Sequence, residues 1–179
     1  MEEWQVRSWL RQLLDAGAGS VKACRAEVVR TIGEQADPAE ALLELVRTCE
    51  SDGGAEGEIL GIDTVAEAGP LALAAAKRFV AEDSPRWPSL GWLEHRPENG
   101  QAHILLGGLA RAMPGEDEAL ILIIPACDAP NRDLRIAAAQ ALEALAHAES
   151  KERLERMLGK TEDALLRGIV TDALADLEA

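Results

Sequence analysis

Asn131-Arg132-Asp133-Leu134-Arg135-Ile136-Ala137-Ala138-Ala139-Gln140-Ala141-Leu142-Glu143-Ala144-Leu145 has an echo 32 residues further on. Leu134-Arg135 falls on Leu166-Arg167, Ala141-Leu142 on Ala173-Leu174, and Leu145 on Leu177. Self-similarity at a fixed period of this size is the mark of a repeat architecture. Walking backward from Leu142, equivalent anchors fall at Leu109, Val65 and Val29, with partners three residues on at Ala112, Ala68 and Ile32. The spacing is nearly regular apart from one long gap, which an insertion in the third unit explains.

Each unit reads as two helices. Asp37-Pro38-Ala39-Glu40 supplies an N-cap, a proline at the first helical position and a carboxylate in the first turn. Leu42, Leu45, Val46 and Cys49 then follow at the spacing of one buried face, and Gly53-Gly54 stops the helix. Ile59, Ile62 and Val65, with Ala66 and Gly69, outline its partner. Leu120, Leu122 and Ile123 repeat the plan after Glu116-Asp117-Glu118, with Pro125 expected to kink the last turn. The expected fold is all-α, an α-α superhelix (solenoid) of five helical hairpins in one domain. Their bounds are about 2–35, 37–68, 69–113 with an insertion at 84–100, 116–147 and 149–178. The alanine run at 137–139 and 141 fits an inner helix whose neighbours must come close. A compact bundle of unequal helices is the competing architecture.

Composition agrees. Among 179 residues, 32 are Ala and 25 Leu, while Tyr is absent and Phe occurs once, a balance that favours helix over strand. The net charge of −14 argues against nucleic acid and anionic membranes as partners. Glu34 to Glu67 alone carries ten acids against one base, Arg47. The N-terminus shows no secretory pattern, no apolar run reaches membrane-spanning length, and Cys24, Cys49 and Cys127 form no CxxC pair. A cytoplasmic protein with reduced core thiols, monomeric or weakly oligomeric, is the expectation.

Asp128 to Leu145 and Glu162 to Leu177 resemble the turn plus inner helix of HEAT-like repeats, of the short kind found in phycobilin lyases and many bacterial scaffold proteins. The resemblance implies a curved surface for a protein or peptide, and a ladder between a turn Asp and an inner-helix Arg. Asp163 with Arg167 suits that ladder, and Asn131 with Arg135 suits it less well. Enzymes built from similar repeats fit poorly. Deoxyhypusine hydroxylase binds two irons through His-Glu dipeptides, and none of His95, His103 or His147 precedes Glu. The alkylpurine DNA glycosylases need a basic face. Phosphate-loop, nucleophile-elbow and HExxH motifs are absent from the chain. Gly107-Gly108, inside a helix, suggests close packing.

The resulting expectation is a non-enzymatic scaffold or adaptor without a cofactor, binding a basic protein or peptide along its concave inner face. An inhibitor or immunity-type protein that masks a basic effector is the specific version. The alternative is a chaperone-lyase resembling the phycobilin lyases. Aligning the repeats puts Glu27, Asp63, Gly107, Gln140 and Asp172 in one column, three acids on one track that would focus field on a basic partner. Acids that merely solubilise a helix surface are the plainer reading. The insertion adds Trp87, Trp92, His95 and Arg96, either an interface loop or local core. Trp4 and Trp9 are read as an end cap, and His147 as a solvated helix end.

Overall fold

A computed structural model describes residues 3–17, 19–83 and 99–178. Among the described residues there are ten helices and no strand. They are α1 (Glu3–Asp15), α2 (Val21–Gly33), α3 (Pro38–Asp52), α4 (Gly54–Glu67), α5 (Pro70–Asp83), α6 (Asn99–Ala112), α7 (Asp117–Cys127), α8 (Arg132–Leu145), α9 (Ser150–Lys160) and α10 (Ala164–Glu178). The two final residues of the expected insertion, Asn99 and Gly100, are the first turn of α6. None of these helices is by itself long and apolar enough to cross a membrane.

Sequence neighbours pair as hairpins, and every second helix also touches the next of its kind. The odd helices run α1, α3, α5, α7, α9, each against the one after it, and the even helices run α2, α4, α6, α8, α10 in the same way. The core lies where the two rows meet. Leu42, Leu45, Val46 and Cys49 of α3 are buried as their spacing demands, and so are Leu109, Leu142 and Leu145 of the even row. Ala137, Ala138, Ala139 and Ala141 are all at most 1% exposed. Wedged among α6, α7 and α10, α8 tolerates nothing bulkier there.

Local chemistry explains the helix ends. The Asp37 carboxylate accepts from the Glu40 amide at 3.2 Å, with Pro38 at the first helical position. Gly53 closes α3, and Gly54, at φ +56°, starts α4 in a backbone region that side chains rarely adopt. α7 continues through Pro125 and ends two residues later.

Turn chemistry repeats with the 32-residue period. Asn131 Oδ1 accepts from the amides of Asp133 and Leu134, and Asp163 Oδ1 accepts from the amide of Leu166. One turn into each helix an arginine folds back on the preceding loop. Arg135 donates to the carbonyls of Ala129 (2.6 Å) and Pro130, and Arg167 to those of Thr161 (3.1 Å) and Leu158. Ala129 and Thr161 are themselves 32 residues apart. Neither Arg135 nor Arg167 is held by the turn residue of its own unit; each clasps main chain instead, while Asp163 stands 4.0 Å from Arg132 of α8.

Several expected faces are rotated. Val28, not Val29, is buried in α2, so the first anchor shifts by one residue. In α4, Ile59 is 63% exposed, while Leu60 and Thr64 are buried with the small Gly57 and Gly61. A Cβ on Gly57 would stand 2.8 Å from the Cys49 carbonyl oxygen, and one on Gly61 3.0 Å from Ile104. α4 buries its glycines because α3 and α6 approach too closely for larger residues. Trp9 is core, whereas Trp4 is 67% exposed. His147 is not solvated. Its Nδ1 accepts from the Glu149 amide, so Nε2 carries the proton and lies 2.8 Å from Asp117 Oδ1, pinning the start of α7 to the end of α8.

Candidate functional site

Between α6 and α8, on the exposed side of the even row, lies a recess of about 370 Å³. Helical spacing builds its walls. His103, Gly107 and Arg111 lie four residues apart on α6, and Ala137, Gln140 and Glu143-Ala144 follow every three or four residues along α8. Ile62 of α4 reaches in beneath Gly107, whose added Cβ would meet it at 3.5 Å, an ordinary contact.

Gly108 is different, because a Cβ there would stand 2.4 Å from Val65 Cβ and 2.9 Å from the Ile62 carbonyl oxygen. It is the point of closest approach between α4 and α6. Only this second glycine of the pair is required by packing.

Charges on the even row are mostly paired. Arg25 Nη1 donates to Asp63 Oδ2 at 2.7 Å and Arg111 Nη1 to Asp63 Oδ1 at 3.1 Å, so one carboxylate joins α2, α4 and α6. Arg25 also stands 3.8 Å from Glu67, and His103 Nδ1 meets Glu58 in a close ion-pair geometry. Glu27 and Arg30 pair at 2.6 Å, and that hydrogen bond holds the Glu27 carboxyl below its usual value.

The α8–α10 end is less well balanced. Partial burial pushes Glu143 above the usual carboxylate range, the charge of Asp176 and a side-chain hydrogen bond with it push it further, Asp172 adds a little, and Arg111 opposes them only in part. Gln140 is exposed and, among the described residues, its side chain makes no hydrogen bond.

Of the column expected from the repeats, Gly107 and Gln140 line the recess and Asp172 lies beside it on α10. Asp63 stands at its α4 edge with both oxygens engaged by arginines. Glu27 lies out on α2 against its own Arg30. Trp87, Trp92, His95 and Arg96 fall outside the described residues. Arg25, His103, Arg111, Glu143 and Asp176 were missed. The available signal was helical neighbourhood, since Arg111 follows Gly107 by four, Glu143 follows Gln140 by three, and Asp176 follows Asp172 by four.

The recess contains hydrogen-bonding groups but no activated nucleophile. Burial pushes the Cys49 and Cys127 thiols up to about 12, far from reactive thiolates. Among the described residues no three His, Cys, Asp or Glu side chains are placed to hold a metal ion. A second cavity of about 380 Å³, between the α7–α8 and α9–α10 turns, has most of its polar groups engaged. Lys160 is 2.7 Å from Asp128, and Arg135 and Asp163 hold the turns. Compared with known proteins, the chain matches no family model, no curated protein and no solved structure.

Proposed function

We propose that this protein is a non-enzymatic scaffold, an α-α solenoid of five HEAT-like hairpins whose even helices form an inner face for a protein or peptide with a basic surface. The observation that carries this reading is the exposed face of the even row itself, with its recess and its unbalanced acids. The even helices hold ten Asp and Glu against seven Lys and Arg. Asp63 and Glu67 are paired with arginines and Glu58 with His103, whereas Glu143, Asp172 and Asp176 cluster with Arg111 alone opposing them. Such a surface attracts a cationic partner and repels polyanions. Stacked repeats each contact only their neighbours and leave one long surface free, which suits recognition better than chemistry. An inhibitor or immunity-type role, masking a basic effector inside the cell, is the version that best fits a small chain at −14.

A chaperone-lyase would need room to enclose a tetrapyrrole, and the recess stands at the small end of ligand pockets. Support therefore favours the side chain of a partner.

Affinity purification followed by salt titration of the recovered partner tests the reading. Asp172→Lys with Asp176→Lys, both exposed, is expected to weaken binding about tenfold or more at low ionic strength, with the difference shrinking as salt rises. Affinity that is indifferent to both salt and charge reversal overturns it. Purified protein that takes up bilin with visible absorbance would favour the lyase instead.

A further inference from the structure

Gly107 poses a question that packing does not answer. A glycine inside a helix is less favourable than alanine, and its added Cβ would meet Ile62 only at ordinary contact distance. The fold has room for a side chain at this position. What a side chain would do is fill the recess between α6 and α8, because Gly107 is part of its wall.

The polar groups around that space are unequal. Arg111 is held by Asp63, and His103 by Glu58. Gln140, whose side chain has no hydrogen-bond partner among the described residues, and Glu143, whose side-chain hydrogen bond is with another carboxyl group, Asp176, are the groups left to receive a donor. They lie one helical turn apart on α8, so their oxygens offer two acceptors side by side above a floor of Gly107, Ala137 and Ile62. A flat cation with several N–H donors and an aliphatic stem matches that arrangement, whereas an ammonium presents a single point of charge.

We propose that the recess receives an arginine side chain of the partner, with Glu143 and Gln140 accepting from its guanidinium, and that Gly107 is glycine to keep the recess open. This rests on the inner face being the binding surface and names the group recognised there. A guanidinium also relieves the repulsion among Glu143, Asp172 and Asp176, which Arg111 offsets only in part.

The probes are N-acetyl-arginine methylamide and its lysine and citrulline counterparts, titrated at low salt into labelled protein. The Gly107 backbone amide and the Gln140 side-chain amide serve as NMR reporters. The arginine compound is expected to shift both signals saturably and at least tenfold more tightly than citrulline, which keeps the shape without the charge. Gly107→Met, which fills the recess with an unbranched side chain, and Glu143→Gln, on a half-exposed position, should each reduce affinity at least tenfold while the rest of the spectrum stays folded. Equal binding of lysine overturns the guanidinium assignment. Shifts elsewhere only, or unchanged affinity in Gly107→Met, overturn the recess. A protein partner that binds Gly107→Met normally yet remains salt-dependent removes the pocket and leaves the inner-face reading standing. A partner insensitive to salt and to Asp172→Lys with Asp176→Lys removes that reading.

Discussion

Ala146 follows α8 at φ 48°, and among the described residues no other non-glycine has a positive φ. A side chain in the left-handed region is disfavoured by roughly 1–2 kcal/mol, whereas glycine adopts it without that strain. The site is the ordinary place for a C-terminal glycine, since the Ala146 amide donates to the carbonyls of Leu142 and Glu143. Ala146→Gly is therefore expected to stabilise by about 0.5–1 kcal/mol, after subtracting the extra chain entropy of glycine. Thermal unfolding should show a midpoint raised by about 2 °C, and a lowered midpoint would mean that the strain is not felt. A single backbone angle of this kind leaves no mark in a sequence, because alanine here looks like one more helix former.

At the level of elements, glycine is where sequence and structure part. The sequence reading of Gly107-Gly108 as close packing holds for Gly108, whereas Gly57 and Gly61 drew no reading and yet mark where α3, α4 and α6 touch. Hydrophobic periodicity located α3 and α8 correctly because their buried faces are made of leucine, valine and alanine. On α4 it was right for Val65 and Ile62 and wrong for Ile59, which is exposed, while Leu60 and Thr64 are buried with Gly57 and Gly61. The same substitution is thus expected to have opposite signs on two helices. Gly108→Ala forces Val65 and the α4 main chain aside and should cost about 1–3 kcal/mol. Gly168→Ala, at an exposed position of α10 with nothing within 4 Å of its Cβ, should gain up to about 1 kcal/mol. Denaturant midpoints of the two variants moving the same way would contradict the packing described. Of the expected column, Gly107 and Gln140 line the recess, and Glu27 does not. The chemistry of the site was less legible, because pairing between helices, such as Asp63 with Arg25 and Arg111, depends on lateral distances that a single chain's spacing does not encode.

For the whole molecule, charge is a matter of balance between helices. Lys77 with Glu118 at 2.5 Å joins α5 to α7, and Lys151 with Glu178 at 2.6 Å joins α9 to α10. Exposed pairs of this kind are worth little singly. Glu143 is the exception, because its surroundings resist its ionisation. A carboxyl whose value is raised on folding binds its proton more readily in the native state. The stability it confers is complete below the ordinary value near 4.5 and is lost as pH rises through the raised one. Glu143→Gln, which cannot ionise, should raise the melting temperature by about 1 °C at pH 7, the gain being limited by solvent screening, and by nothing at pH 3.5. A gain that is equal at both values would trace the effect to something other than charge.

The arginine clasp at the α8 and α10 turns has a consequence for inheritance. Arg135 and Arg167 grip carbonyl oxygens, which every residue possesses, so they set no condition on the letters of the loop they hold. Ala-Pro-Asn in one turn and Thr-Glu-Asp in the other are equally acceptable cargo. Such turns are free to drift while their shape is kept, until two copies of one unit share little more than an arginine, a capping side chain and a count of residues between them.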